Sequence, residues 1–149
     1  MKYFAYGSNM HPEQMRGVCP GSRFVTIGKL PDYRLDFTRF SKVRGGGVAD
    51  IVHDYDSEVW GVVYAVPETD LDALDEKEGV AVGAYERKHV EILTPSSEPL
   101  PVTTYSVVDK GGPFAPKPEY SDLIVGGARY WSLPQQYVTS LISTLTLSS

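Results

Sequence analysis

A short apolar strand that stops abruptly in three small residues fixes the first event in this chain. Tyr3 to Tyr6 is aromatic and apolar enough to be buried as a strand, and Gly7-Ser8-Asn9 follows immediately. Gly7 can take the positive φ that a sharp exit would need. Ser8 and Asn9 favour turns and caps, and Pro12, ahead of Glu13, Gln14 and Met15, suits the first position of a helix. The unit is therefore strand, small-residue turn, helix. Consecutive backbone N–H groups at such a turn form a cradle for a carboxylate or a phosphate, and nothing local chooses between the two.

Downstream, the pattern is dominated by strands. Ser22–Leu30 and Tyr33–Phe40 read as two strands separated by Pro31-Asp32, with Tyr33, Leu35 and Phe37 alternating against Arg34, Asp36 and Thr38. Ser41–Gly47, with Lys42, Arg44 and three consecutive glycines, reads as a flexible loop, a hinge or lid, before a strand from Val48 to Val52. Asp54–Ser57 is a turn, and Glu58–Val66 is so continuously apolar that it must be covered on both faces. Gly61 within it marks a bend or a close approach. Further strands are expected at Tyr85–Leu93 and Val102–Val108.

Helices are expected at three later places. Thr69 and Asp72 resemble a capping box, Leu71 and Leu74 mark a buried face, and Gly79 can end that helix. Tyr120–Ala128 forms a second, weakened by Gly126 and Gly127. A third starts near Ser132 and Pro134 and carries an apolar stripe of Tyr137, Val138, Leu141, Ile142 and Leu145. Many strands with a few peripheral helices, and no regular βαβ alternation, predict an α+β fold with a mixed, curved, barrel-like sheet.

Composition narrows the class of partner. A chain of 149 residues, 42% hydrophobic, is sized for a single domain over residues 1–149 with a substantial core. A net charge of −5 supplies no basic face for nucleic acid or an anionic membrane, so a small molecule is the expected partner. Cys19 is the single cysteine, which excludes an internal disulfide framework. With no secretion signal or transmembrane run in the sequence, a reducing cytoplasm is the expected location.

The most suggestive titratable residue is Glu78. It lies seven residues after Leu71 and four after Leu74, so helical periodicity places it on their inward face. Desolvation, the helix C-terminus and the neighbouring Asp75 and Glu76 would raise its pKa, with Lys77 opposing. A carboxyl tuned toward neutrality suits general acid/base work. The alternative is a solvated acidic helix end with Glu78 slightly off the stripe.

Other chemistry has little support. Cys19 precedes Pro20 in a turn, and His11, His53 and His89 show no pattern that would bring a base to it. His89 reads as an exposed or satisfied strand residue. No two histidines have metal-ligand spacing and no calcium-loop pattern occurs, so no metal is expected. Gly45-Gly46-Gly47 lacks the Walker lysine and the dinucleotide glycine spacing.

Taken together, YFAYGSNM, the LDF at Leu35–Phe37, GGGVADI, EVWGVVYAV, LDEKEGV followed by Tyr85, and PKPEY at Pro116–Tyr120 resemble the γ-glutamylcyclotransferase family, in its order and approximate spacing, from about Tyr3 to about Trp131. The resemblance implies a small domain on a curved β-barrel, with a pocket between the Gly-Ser-Asn turn and the helix that ends at Glu78. It implies that Gly7, Ser8 and Asn9 hold the α-carboxylate of a γ-glutamyl group through their backbone, with Tyr6 opening the loop. Glu78 is then the acid/base, and Tyr85 and Tyr120 line or close the pocket. The implied reaction needs no cofactor: the free α-amine attacks its own γ-carbonyl, a lactam closes, and 5-oxoproline leaves with an amino acid. The shared motifs grip the glutamyl half, so a γ-glutamylamine cyclotransferase or a non-catalytic binder of γ-glutamyl metabolites stands as the alternative. Arg39, Lys42 and Arg44 could meet a second carboxylate on the leaving group or lie on a solvated loop. The C-terminal stripe could serve a homodimer or cap the barrel.

Overall fold

The protein is described by a computed structural model over residues 1–148; Ser149, the last residue of the expected domain, lies outside the described residues. Five strands close into a barrel in the order β1-β3-β2-β4-β5, with β1 at Lys2–Ala5, β2 at Arg23–Ser41, β3 at Gly46–Ala65, β4 at Tyr85–Leu93 and β5 at Pro99–Val107. Neighbours are antiparallel except at the closure, where β1 lies parallel to β5 with Tyr3 opposite Thr103. Four helices surround it: α1 at Pro12–Val18, α2 at Glu68–Lys77, α3 at Pro118–Tyr130 and α4 at Gln135–Ser148. The expected α+β class with a mixed, closed sheet is what the chain forms.

The expected strand pairs 22–30/33–40 and 48–52/58–66 are each one element. β2 runs for 19 residues and β3 for 20. Pro31-Asp32 and Asp54–Ser57 do not end the strands; they form a local irregularity in one hairpin, with Asp32 and Asp56 both at positive φ and the Asp56 N–H donating to Asp32 Oδ1 at 3.3 Å. The inner half of the hairpin, Arg23–Pro31 against Glu58–Ala65, belongs to the barrel wall. The outer half extends beyond it as an arm.

The core follows from strand alternation. Phe4, Val59, Val62, Val63, Ile92 and Tyr105 fill the barrel region, and Val138, Leu141 and Leu145 turn the α4 stripe inward. α4 packs against α3, so the stripe serves the core of this chain. α3 continues through Gly126 and Gly127: a Cβ on Gly127 would sit 2.6 Å from the His11 nitrogen, so its absence lets the helix press against the chain that follows the first turn.

Three local expectations are corrected. Thr69 does not cap α2: the helix starts at Glu68 after Pro67, with no side-chain cap, and Glu68 and Asp70 complement the dipole of its first turn instead. Gly7 has φ −117, so it is not needed for a left-handed turn; a Cβ there would lie 3.2 Å from that of Ala49, and close approach is the reason for glycine. Gly46 and Gly47 are not a hinge. Both are buried in β3, the Gly47 N–H donates to the Ala115 carbonyl at 2.8 Å, and a Cβ on Gly47 would overlap the Phe114 carbonyl. Only Lys42–Gly45 makes a turn, with Gly45 at φ 72.

Gly61 gives the barrel its tightest wall contact, because any Cβ there would overlap the Ala5 carbonyl and the Phe4 ring. Gly61→Ala is expected to lower unfolding free energy by about 1–3 kcal/mol, read by urea denaturation with an unchanged m-value. A loss below about 0.5 kcal/mol, the usual size for an unconstrained surface site, would contradict this reading of the wall.

Candidate active site

A cavity of about 340 Å³ opens between the first turn, the outer arm of the β2–β3 hairpin and the C-terminal end of α2. The sequence-nominated residues Tyr6, Gly7, Ser8, Asn9, Glu78, Tyr85 and Tyr120 all line it. Arg39 and Arg44 reach it as well, Arg44 stacking over the Tyr120 ring at 5.3 Å, whereas Lys42 does not contribute to its lining.

The first turn is a 3-10 turn, Ser8–Met10, whose first hydrogen bond runs from Met10 N–H to the Gly7 carbonyl at 3.1 Å. The Ser8 and Asn9 N–H groups precede that bond and have no acceptor within the turn. Behind them His11 caps α1 through Nδ1, which accepts from Glu13 N–H, and Pro12 occupies the first helical position as expected.

A bulge in the hairpin sets the opposite wall. Asp36 pairs with Asp50 and Arg39 with Val48, so Phe37 and Thr38 together face the single residue Ala49. The alternation expected along Tyr33–Phe40 therefore breaks at Thr38, which is buried, and Arg39 turns to the cavity. The carbonyls of Phe37 and Thr38 are taken by Phe114 N–H and Gly111 N–H. Ala49 gives its own peptide groups to two tyrosines: its N–H donates to Tyr120 Oη at 2.9 Å, and its carbonyl accepts from Tyr85 Oη at 2.6 Å. Next to it, Asp50 is fully buried and accepts four bonds, from the Ile51 and Val107 N–H groups, the Thr38 hydroxyl and Lys110 Nζ. That saturation is what a buried carboxylate needs to persist. In the sequence, Ala49 and Asp50 stand only within the GGGVADI motif and receive no role of their own, because their roles arise from the bulge.

Glu78 sits at the C-cap of α2, followed by Gly79 in the left-handed region at φ 66. Desolvation raises its pKa and the Lys77 ammonium beside it lowers it, with burial prevailing. Lys77 responds in the opposite sense, its pKa lowered first by burial while Glu78 raises it. The expected contribution of Asp75 does not arise: that carboxylate turns away to a bidentate pair with Arg87 at 2.7 and 2.9 Å and accepts the Tyr105 hydroxyl. Asn9 Nδ2 reaches Glu78 Oε1 at 3.4 Å and donates to Tyr3 Oη at 3.0 Å. Glu78 is close enough to raise the phenols of Tyr3, Tyr6, Tyr85, Tyr105 and Tyr120, in each case behind the larger effect of burial. Sequence reasoning did not single out Tyr3 or Tyr105, whose strand positions read as ordinary packing; Lys77 acts as expected, opposing the shift of Glu78.

The other candidates lie elsewhere. Cys19 is buried, its thiol pushed up to about 11 by desolvation and then Asp70, with Sγ donating to the Asp70 carbonyl at 3.7 Å. His89 Nδ1 pairs with Thr103 Oγ1 at 3.1 Å on the barrel wall. Among the described residues no helix is long and apolar enough to cross a membrane.

A closed five-stranded barrel carrying one tyrosine-ringed carboxylate beside a Gly-Ser-Asn turn defines a narrow structural class. The AIG2-like family model matches residues 58–141. The chain is 34% identical to the mouse γ-glutamylcyclotransferase over 144 residues, covering 93% of this chain and 76% of the mouse protein, and 34% identical to the human one over the same span. A solved γ-glutamyl cyclotransferase structure superposes with a TM-score of 0.91 at 32% identity, covering 95% of this chain and 86% of that one. The chain belongs to the AIG2-like, γ-glutamylcyclotransferase family.

The raised pKa of Glu78 has a testable sign. A carboxyl whose folded pKa exceeds its unfolded value of about 4.5 binds more protons folded than unfolded between the two, so stability falls as pH rises through that window. Glu78→Gln should match the wild type in stability below pH 4 or so and become more stable than it as pH rises through the window between the unfolded and folded pKa values, read by denaturation at fixed ionic strength. Equal stability across the range would mean that burial does not penalise the carboxylate.

Proposed function

We propose that this protein cyclises γ-glutamyl amino acids or peptides, releasing 5-oxoproline and a free amino acid or peptide, with Glu78 as the acid/base. The observation that carries the proposal is Glu78 itself: a carboxylate held in a tyrosine-lined cavity against desolvation, in a chain of this family, facing the Gly-Ser-Asn turn. In this reading the Gly7, Ser8 and Asn9 backbone takes the substrate α-carboxylate, and Tyr6, Tyr85 and Tyr120 fix the folded rotamer of the glutamyl arm. The reacting groups are tethered in one molecule, so orientation alone is worth up to about 7–11 kcal/mol.

The proton inventory is simple. Glu78 as carboxylate takes a proton from the α-ammonium, the freed amine forms the new C–N bond to the γ-carbon, and the protonated Glu78 delivers that proton to the departing nitrogen as the old C–N bond breaks. The remaining extra proton on the lactam nitrogen leaves to the released amine or to water. A folded pKa raised by burial improves Glu78 as the donor in the second step, and Lys77 keeps it ionised often enough for the first.

Arg39 and Arg44 on the cavity wall favour a leaving group with its own carboxylate, an amino acid over a simple amine. The unpaired, buried Cys19 is compatible with a reducing cytoplasm.

Mass-spectrometric detection of 5-oxoproline tests the proposal, with γ-glutamyl-alanine, glutathione and a γ-glutamyl monoamine as substrates. The expected outcome is product from the wild type, preferentially from the amino acid conjugates, and a loss of kcat of at least about 10²-fold in a folded Glu78→Gln variant. Preference for the monoamine would favour the γ-glutamylamine reading. Binding without product from any of them would make this a metabolite binder.

A further inference from the structure

The hydroxyl groups around the cavity are not interchangeable, because each phenol has one proton and the protein has already assigned most of them. Burial holds all five tyrosines near Glu78 above their ordinary ionisation range, so none of them ionises at neutral pH. Tyr85 spends its proton on the Ala49 carbonyl at 2.6 Å, and Tyr6 spends its own on the Tyr105 carbonyl at 2.6 Å. Both can offer only lone pairs to a ligand. Tyr120 is the reverse: its oxygen accepts the Ala49 N–H at 2.9 Å, and the Ser8 hydroxyl beside it also acts as a donor to that oxygen, so its proton is the part left to offer.

Asn9 adds an independent observation. Its side chain is buried, its Nδ2 is committed to Tyr3 Oη and Glu78 Oε1, and its Oδ1 is buried with no hydrogen-bond partner. The adjacent Glu78 carboxylate fixes the orientation of the amide, since the reversed amide would set oxygen against oxygen. An orphaned buried acceptor is costly unless a donor arrives, and Asn9 belongs to the cavity lining, where a ligand donor can supply one.

We propose that this hydroxyl polarity sorts the two ends of the glutamyl headgroup: Tyr85, Tyr6 and Asn9 Oδ1 accept from the α-ammonium beside Glu78, and Tyr120 donates to the α-carboxylate. The assignment rests on the γ-glutamyl reading above and adds to it which tyrosine serves which charge. It places the ammonium next to the group that must deprotonate it. It also explains why two tyrosines are tied to the two backbone groups of one residue: the Ala49 N–H makes a donor of one, and the Ala49 carbonyl makes an acceptor of the other.

L-Glutamate and glutarate share their carboxylates and differ only in the ammonium, so their affinity ratio isolates the ammonium site. NMR titrations of the full chain with each ligand should show the wild type preferring glutamate. Tyr85→Phe should cut that ratio by about tenfold, the weight of one hydrogen bond to a charged group. Tyr6→Phe should move it in the same direction, and serves as the test should Tyr85→Phe not fold. Tyr120→Phe should weaken both ligands by a similar factor and leave the ratio intact. No preference for glutamate in the wild type, an unchanged ratio in folded Tyr85→Phe and Tyr6→Phe, or a ratio lost in Tyr120→Phe overturns the assignment. Wild-type turnover of γ-glutamyl-alanine, glutathione and a γ-glutamyl monoamine, run in parallel, separates the two levels: if 5-oxoproline forms from any of them while the ratios disagree, the polarity assignment alone fails, and if none forms, the cyclising γ-glutamyl reading fails and takes the assignment with it.

Discussion

One extra residue in a long hairpin is the constraint on which the site depends. Where Phe37 and Thr38 together face Ala49, the ladder between β2 and β3 is interrupted, and backbone groups that a regular sheet would consume become available. The segment after β5 takes the two carbonyls of the bulged strand, through Phe114 and Gly111 N–H. Tyr120 takes the Ala49 N–H and Tyr85 the Ala49 carbonyl. Buried Asp50, saturated by donors from β2, β3, β5 and Lys110, ties the same point to three strands. A regular hairpin here would leave Thr38 outside, Arg39 away from the cavity and the tyrosines without their anchor.

Against that rigid wall the chain sets a group that is costly to bury. Glu78 lies where α2 ends and Gly79 turns the chain away, so its carboxylate enters the cavity without a full set of hydrogen bonds. Burial raises its pKa; the Lys77 ammonium limits the rise. The contrast with Asp50 is instructive. Both carboxylates act on the Tyr85 phenol, but Asp50 is fully buried and satisfied by four donors, whereas the half-buried Glu78 has Asn9 Nδ2 as its hydrogen-bond donor.

The sequence was most legible where local chemistry suffices. Pro12 at a helix start, the apolar run through Val59–Val66, the α4 stripe and the small-residue turn at Gly7–Asn9 are local statements, and each lies where its pattern placed it. It misled where a residue type has two physical uses. Gly7 and Gly47 looked like conformational freedom and serve close approach to Ala49 and Phe114. Thr69 looked like a cap and lies inside a helix that starts after Pro67. Pro31-Asp32 and Asp54–Ser57 looked like strand ends and form one irregularity in a continuous hairpin, because pairing on both sides holds the strands together through it.

The sequence by itself determined the inventory: which residues are apolar at strand or helical period, where the chain must turn, and the motif set that carries the family resemblance, including Glu78 and the tyrosines. Those follow from bonding and sterics within a few residues. Tertiary structure alone decided polarity and distance: that Ala49 anchors Tyr85 and Tyr120, that Asp75 leaves the site for Arg87, that Arg39 and Arg44 face the cavity while Lys42 does not, and that Asn9 Oδ1 stays unpartnered. A hydrogen bond between residues 71 or 36 positions apart depends on strand register and on a bulge, and neither leaves a signature in the residues that it finally brings together.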